Sequence, residues 1–110
     1  MTDIAIIQNK TNAAPDVIEA FYTDSSINGT RVKAFTASNS TETSISYKAY
    51  IYDSTGVLVS AVIPMTIVVR DRTSYGQGIV NQVIPPGGSL RVESSNIGLN
   101  FYVTGYVQSV

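Results

Sequence analysis

The feature that most constrains this chain is a strict alternation of side chains over residues 44–52, SISYKAYIY. Every second residue is apolar, in the order Ile45, Tyr47, Ala49, Ile51, and Ser, Lys and Tyr fill the places between them. Successive side chains of a β-strand point to opposite faces, so this period of two predicts a half-buried strand. Residues 53–56 follow as a turn that ends in glycine, and the apolar residues 57–61 then complete a predicted hairpin.

A second alternating pattern lies near the C-terminus. Over residues 99–107 it places Leu99, Phe101 and Val103 on one face and polar or tyrosine side chains on the other. Residues 90–93 alternate in the same way, and residues 94–98 between the two stretches have a composition typical of a turn. This pattern predicts a second hairpin, formed by residues 90–93 and 99–107.

The remaining patterns are shorter, and all of them favour strands. Further strands are expected at residues 31–36, 65–70 and 78–83, with weaker signals at 2–8 and 17–22, where a helical turn after Pro15 is the alternative. The proline and glycine residues at 85–88 predict a sharp connection. No helical pattern is long enough for a parallel crossover. We therefore predict an all-β fold, an antiparallel β-sandwich of jelly-roll or immunoglobulin-like type with seven to eight short strands.

The length of 110 residues fits one domain. Residues 9–14 lack a strand pattern, and chain termini are often unpinned unless a neighbour holds them. We therefore divide the sequence into a candidate N-terminal arm, residues 1–14, and a single sandwich domain, residues 15–110. Such an arm could reach a neighbouring subunit and add a strand to its sheet.

Composition argues against several classes of function. The net charge is −1 without a basic stripe, so no nucleic-acid partner is expected. The longest nearly apolar run, residues 57–69, is too short and too interrupted to span a bilayer. The chain has no cysteine and no histidine, which removes thiolate chemistry and the commonest general base and metal ligand. We expect no enzyme activity, catalytic residue, cofactor or metal.

Carboxylates are the remaining candidates for chemistry. Asp16, Glu19 and Asp24 lie close in sequence, and a pair of them could act as acid and base on a glycan. The alternative is that they are turn and edge residues on a solvated surface, and nothing in the sequence raises the pKa of any of them. We favour that second interpretation.

Aromatic and arginine side chains are the strongest candidates for contacts. Four of the seven tyrosines, Tyr50, Tyr52, Tyr102 and Tyr106, fall on the polar faces of predicted strands. Tyrosine is enriched at protein interfaces and also stacks on sugar rings, although such rings can simply cover a sheet. Arg70 and Arg72 follow an apolar strand, where they mark either an interface ion-pair cluster or a strand end in solvent. These six residues are the predicted interface.

Two stretches carry a resemblance to a known group of proteins. Residues 83–92, VIPPGGSLRV, followed by 99–106, LNFYVTGY, resemble small virion proteins of tailed bacteriophages, in which a proline–glycine turn precedes the final strands. Residues 35–41, FTASNST, and 46–51, SYKAYI, are similar to the strand, Asn-Ser/Thr turn and strand of the same proteins. The resemblance covers roughly residues 31–107. It implies a jelly-roll or immunoglobulin-like sandwich, and the group has no catalytic motif to carry over.

The function implied by the resemblance is structural. Such proteins are similar to capsid decoration or cement subunits, which dock on the major capsid protein and stabilise the phage head shell. That implies a protein of the virion exterior, assembled in the bacterial cytoplasm and self-associated as a dimer or trimer. The alternative is a tail- or head-tail-associated module that binds a receptor or carbohydrate, and a glycan ligand is expected only in that case.

Overall fold

Two antiparallel β-sheets packed against each other form the fold, which confirms the predicted all-β sandwich. The computed structural model describes residues 4–11, 16–25 and 28–107, and that part of the chain contains nine strands. The strands are β1 (Ile4–Thr11), β2 (Glu19–Thr23), β3 (Thr30–Asn39), β4 (Ile45–Tyr52), β5 (Leu58–Val68), β6 (Arg72–Tyr75), β7 (Val83–Ile84), β8 (Ser89–Ser94) and β9 (Leu99–Val107).

The strand pairs are nested, like a single long hairpin folded over on itself. β4 pairs with β5, β3 with β6 and β7, β2 with β8, and β1 with β9. The first sheet has the order β1-β9-β3-β6, and β7 also pairs with β3, on the same side as β6. The second sheet has the order β2-β8-β4-β5. There is one strand more than the predicted maximum because a 3-10 turn, Gln77–Ile79, interrupts the strand beside β3 and leaves β6 and β7 as separate pieces.

The first predicted hairpin is confirmed. β4 and β5 are adjacent, with Tyr52 opposite Leu58. The Asp53 carboxylate organises the turn, because its Oδ1 accepts hydrogen bonds from the backbone N–H groups of Thr55 at 2.9 Å and Val57 at 3.0 Å. Gly56 takes a φ of 82°, the left-handed conformation for which a glycine was expected at this position.

The second predicted hairpin is wrong. β8 lies between β2 and β4 in the second sheet, whereas β9 lies between β1 and β3 in the first. The connecting residues cross from one sheet to the other, and Ser95 donates its backbone N–H to the Ser46 carbonyl at 2.8 Å. Buried residues alternate in both strands because both strands face the same core. The pattern therefore identified the inward face of each strand but not the strand with which it pairs.

Three shorter predictions have mixed outcomes. The strand expected at residues 78–83 is wrong: the 3-10 turn and a second turn at residues 80–81 occupy most of it, and β7 begins only at Val83. Residues 65–68 belong to the long strand β5 instead of starting a new one. Residues 19–23 form strand β2 instead of a helical turn.

The N-terminal segment contributes a strand to the first sheet. Within the candidate arm, Ile4–Thr11 pairs with β9 over eight positions, from Ile4 opposite Val107 to Thr11 opposite Asn100. Residues 1–3 and 12–15 lie outside the described part of the chain. A contact of this segment with a neighbouring subunit stays a prediction.

Four buried aromatic rings join the two sheets at the centre of the core. Phe35 and Phe101 come from the first sheet, and Phe21 and Tyr47 come from the second. The ring centroids of Tyr47 and Phe101 are 5.6 Å apart and those of Phe21 and Phe101 are 5.9 Å apart, both with edge-on geometry. Such pairs stabilise a core beyond the area that they bury. The Tyr47 hydroxyl lies 3.3 Å from the Ser74 hydroxyl, so its polar end is hydrogen-bonded.

Removing the central ring should be among the most destabilising changes in the chain. Phe101→Ala is expected to lower the free energy of unfolding by about 3–5 kcal/mol, because it leaves a cavity between the sheets. The measurement is equilibrium denaturation in urea. Tyr102→Ala, at the neighbouring outward-facing position, is the matched control and should cost far less. Equal losses for the two variants would contradict this account of the core.

The buried hydroxyl of Tyr47 should make stability depend on alkaline pH. Burial raises the pKa of Tyr47, and the hydrogen bond to Ser74 only partly offsets that effect. The unfolded chain therefore ionises this group first, at a pH of about 10, so stability is complete below that pH and falls as pH rises through the folded-state pKa. Tyr47→Phe should flatten the decline in denaturation midpoint above about pH 10. Tyr75→Phe is the control, because it leaves Tyr47 in place. An equally flat decline in this variant would show that the Tyr47 hydroxyl is not the cause of the pH dependence.

Candidate functional site

The six predicted interface residues do not form one surface. Tyr50 and Tyr52 lie on the outer face of the second sheet, and Tyr102 and Tyr106 lie on the outer face of the first, on the opposite side of the sandwich. Arg70 lies in the turn after β5, and Arg72 begins β6. Whether any of the six binds a partner stays a prediction, but they cannot all contact the same flat partner surface.

On the second sheet, the two tyrosines belong to a network within the chain. The Tyr50 hydroxyl donates to Glu93 Oε1 at 2.9 Å, and the Arg91 guanidinium lies 4.5 Å from the centre of the Tyr52 ring. Arg91 also donates from Nε to the Ser89 hydroxyl at 3.0 Å. Desolvation raises the pKa of Tyr50, and the hydrogen bond and negative charge of Glu93 raise it further. These contacts hold the side chains against the sheet, and Arg91 covers one face of the Tyr52 ring.

On the first sheet, two outward tyrosines are freer, whereas the Lys33 ammonium lies 5.7 Å from the centre of the Tyr106 ring. Thr36 is the register partner of both Tyr75 on β6 and Tyr102 on β9, so the three side chains share the outer face in one row. Tyr75 is 67% exposed and Tyr102 is 36% exposed. The two tyrosines are two strand spacings apart, roughly 10 Å. Sequence reasoning missed Tyr75, because residues 72–75 had no recognised strand pattern.

The two arginines are solvated. The Arg70 guanidinium lies 3.6 Å from the Asp71 carboxylate, and both side chains are more than 60% exposed, at 62% and 71%. An exposed ion pair of this kind contributes little to stability. Arg72 is likewise exposed, so both arginines are accessible to a partner.

The least expected surface is a series of apolar side chains in β5, the outermost strand of the second sheet, and in the two residues that flank it, Val57 and Val69. We call it the β5 stripe; its members and exposed fractions are Val57 59%, Leu58 48%, Val59 55%, Met65 65%, Ile67 67% and Val69 52%. No charged residue occurs between positions 57 and 69. The sequence signal was this charge-free run, but it could not be assigned to a sheet edge before the strand order was known.

The three candidate carboxylates lie before, in and after β2, and Glu19 is the first residue of that strand. Asp16 precedes the strand and is exposed, whereas Asp24 follows it and is buried. Asp24 accepts hydrogen bonds from the Thr30 hydroxyl at 2.6 Å and from the backbone N–H of Gly87 at 3.3 Å. Its carboxylate therefore ties the end of β2 to the start of β3 and to the proline–glycine turn, which is a structural role.

Two concave features on the described surface are small. One cleft of about 80 Å³ lies beside β4, and a shallow depression of about 240 Å³ lies beside β6. The cleft is lined by Asp16, Ser46, Tyr47, Lys48, Met65, Glu93, Ser94 and Ser95. Both are below the roughly 300–1,000 Å³ of typical small-molecule sites. The described residues contain no group of three or more metal-ligating side chains suited to a metal ion.

Comparison of the chain with protein-family models, with curated proteins and with solved structures finds no significant match in any of the three. Among residues 4–11, 16–25 and 28–107, no helix is long and apolar enough to cross a membrane. The functional argument therefore depends on the surfaces themselves.

The stacked pair on the second sheet should show a measurable coupling energy. In a double-mutant cycle with Tyr52→Leu and Arg91→Met, we expect a coupling of about 0.5–1 kcal/mol, the range for a cation near an exposed aromatic face. The free energies come from chemical denaturation. A cycle that combines Arg91→Met with Tyr102→Leu, on the opposite side of the sandwich, should be additive. No coupling in the first cycle would show that the stack is energetically silent.

Proposed function

We propose that the chain is a structural virion protein, a capsid decoration or cement subunit that docks on the major capsid protein of a phage head shell. In this proposal it sits on the capsid exterior after assembly in the bacterial cytoplasm. The observation that carries the proposal is the exposed row of Tyr75 and Tyr102 on the outer face of the first sheet, because accessible tyrosine side chains are typical of protein–protein contacts. The small size of the clefts also fits a role in protein contacts better than a role in small-molecule binding.

The strand order supports the jelly-roll form of the sandwich. In an immunoglobulin domain, strands A, B, E and D form one sheet and C, F and G the other. Here the nested pairs alternate between the sheets: β1–β9 and β3–β6 lie in the first sheet, and β2–β8 and β4–β5 lie in the second. This is the arrangement expected when a long hairpin rolls into two Greek keys. We infer a jelly roll, an architecture that viral capsid domains use and lectins share.

The docking surface in this proposal is the exposed row on the first sheet. Tyr75 and Tyr102 present amphipathic rings on either side of Thr36. Tyrosine is enriched among the residues that dominate binding energy. A single copy need not bind tightly, because many copies on a symmetric shell gain avidity.

A second candidate function is carbohydrate or receptor binding at a phage tail. The same row favours it, since two exposed tyrosines flanking Thr36 make a flat platform on which sugar rings could stack. Tyr52 is a poorer platform because Arg91 covers one face of its ring. The two functions therefore compete for one surface and differ in the ligand.

Co-sedimentation separates the two candidate functions. The purified chain is mixed with head shells of the virus that encodes it and, separately, applied to a glycan array. A decoration protein should saturate the shells at a fixed number of copies per capsomer and ignore the glycans. The double variant Tyr75→Ala with Tyr102→Ala should weaken shell binding at least about 10-fold, as expected for interface hot spots.

Tyr52→Ala, on the opposite face, is the matched control and should leave shell binding unchanged. Glycan binding that is lost in the Tyr75/Tyr102 variant, without shell binding, would replace the first candidate by the second. Binding to neither probe would overturn both. Thermal denaturation of each variant verifies that a loss of binding is not a loss of fold.

A further inference from the structure

We propose that the β5 stripe is a homodimer interface, in which β5 of one copy lies antiparallel to β5 of a second copy about a two-fold axis near the middle of the strand. This deepens the proposed function by naming a partner and a surface, and it does not require the docking face on the first sheet. It also assigns self-association to a different surface from the tyrosine and arginine residues that were predicted from the sequence.

The two ends of the β5 stripe lack the charged side chains that commonly protect a sheet edge. Natural edge strands are commonly shielded by charged side chains, prolines, bulges or a covering segment. The segment has no charge between residues 57 and 69, and its apolar side chains are about half exposed or more at both ends of the strand. No charge along this segment would therefore repel an identical segment.

The middle of β5 is protected, and this determines the kind of contact. The 3-10 turn packs so closely on the strand that a side chain at Gly78 would collide with the Val62 carbonyl oxygen. Pro64 in the middle offers no N–H, and at the end of the strand the Val68 carbonyl already accepts a hydrogen bond of 2.8 Å from Asn39 Nδ2. Three register shifts against β4 further distort the strand. A second copy would therefore bind mainly through side chains, and not by extending one sheet.

A second copy fits the area and the symmetry of the stripe. Six side chains that are each about half exposed present on the order of 500 Å² of apolar surface, comparable to the largest patch of a typical monomer. Two such stripes would bury about 1,000 Å², the lower limit for a biological interface. A two-fold contact is also self-complementary and closed, so it gives a dimer instead of a fibre.

The position of the axis follows from where the apolar residues lie. They form two groups, residues 57–59 and 65–69, on either side of the protected middle. A two-fold axis between Val62 and Ile63 places the first group of one copy against the second group of the other, with Leu58 facing Ile67 of the second copy. An axis at either end would leave one group of each copy in solvent.

The first test is the mass of the purified chain in solution. Sedimentation velocity from about 1 μM to about 1 mM covers the affinities expected for an interface of this size, and the expected species has twice the chain mass of 11.8 kDa. Ile67→Lys should raise the dissociation constant at least about 100-fold. Ile97→Lys changes an apolar residue of similar exposure, 53%, in the β8–β9 connection and should change nothing.

The second test addresses orientation. Leu58→Glu and Ile67→Lys should each dissociate the dimer, whereas the double variant should recover it, because each glutamate then faces a lysine across the axis. The variant with lysine at both positions should stay monomeric. A monomeric wild-type chain would overturn the dimer, and equal effects of Ile67→Lys and Ile97→Lys would overturn its location. Failure of the double variant to recover would overturn the proposed axis.

The dimer and the proposed function fail separately. The Ile67→Lys monomer keeps the Tyr75 and Tyr102 face, so it should still bind head shells with lower avidity. If the dimer is intact but shell binding is lost, the docking proposal fails and the dimer stands. If the wild-type chain is a monomer but binds shells, the dimer fails and the docking proposal stands.

Discussion

The contact of four aromatic rings between the sheets is the interaction on which the rest of the structure depends. Each sheet contributes two rings, so the sheets are held face to face by ring packing, most of it edge-on, to which hydrogen bonds such as Tyr47–Ser74 are added. The chain has no disulfide or metal cluster among its described residues to share this task. Once these rings are in contact, the alternation of every strand determines which side chains remain for the outer faces.

The core buries one face of each sheet, and the outer faces and edges that remain differ in how accessible their side chains are. On the second sheet, the tyrosines and Arg91 are engaged with one another, so that face is internally satisfied. The first sheet keeps Tyr75 and Tyr102 accessible, and β5 keeps its apolar side chains accessible. Exposed apolar groups and exposed rings thus lie on separate parts of the molecule, which allows self-association and docking to use different surfaces.

Sequence reasoning recovered what depends on neighbours in the chain and missed what depends on distant pairing. The period of two identified the inward faces of β4 and β9, and the turn composition at residues 53–56 identified the hairpin, because both are local properties. The second hairpin was wrong, since β8 and β9 carry the same inward pattern in different sheets. The β5 stripe was missed for the same reason: a charge-free strand is ordinary in the middle of a sheet and exceptional at its edge.

The nested strand order also has a consequence for how the chain reaches this structure. β4 and β5 close a loop of a few residues, and each further pair encloses all the strands of the pair before it, ending with β1 against β9. Because the entropy lost on closing a loop grows with its length, the β4–β5 hairpin is the least costly place to begin. Folding should therefore proceed outward from the Asp53 turn, and slowly, as is typical of topologies dominated by distant contacts. Transition-state analysis of turn variants would reveal a different order if pairing began at the chain ends.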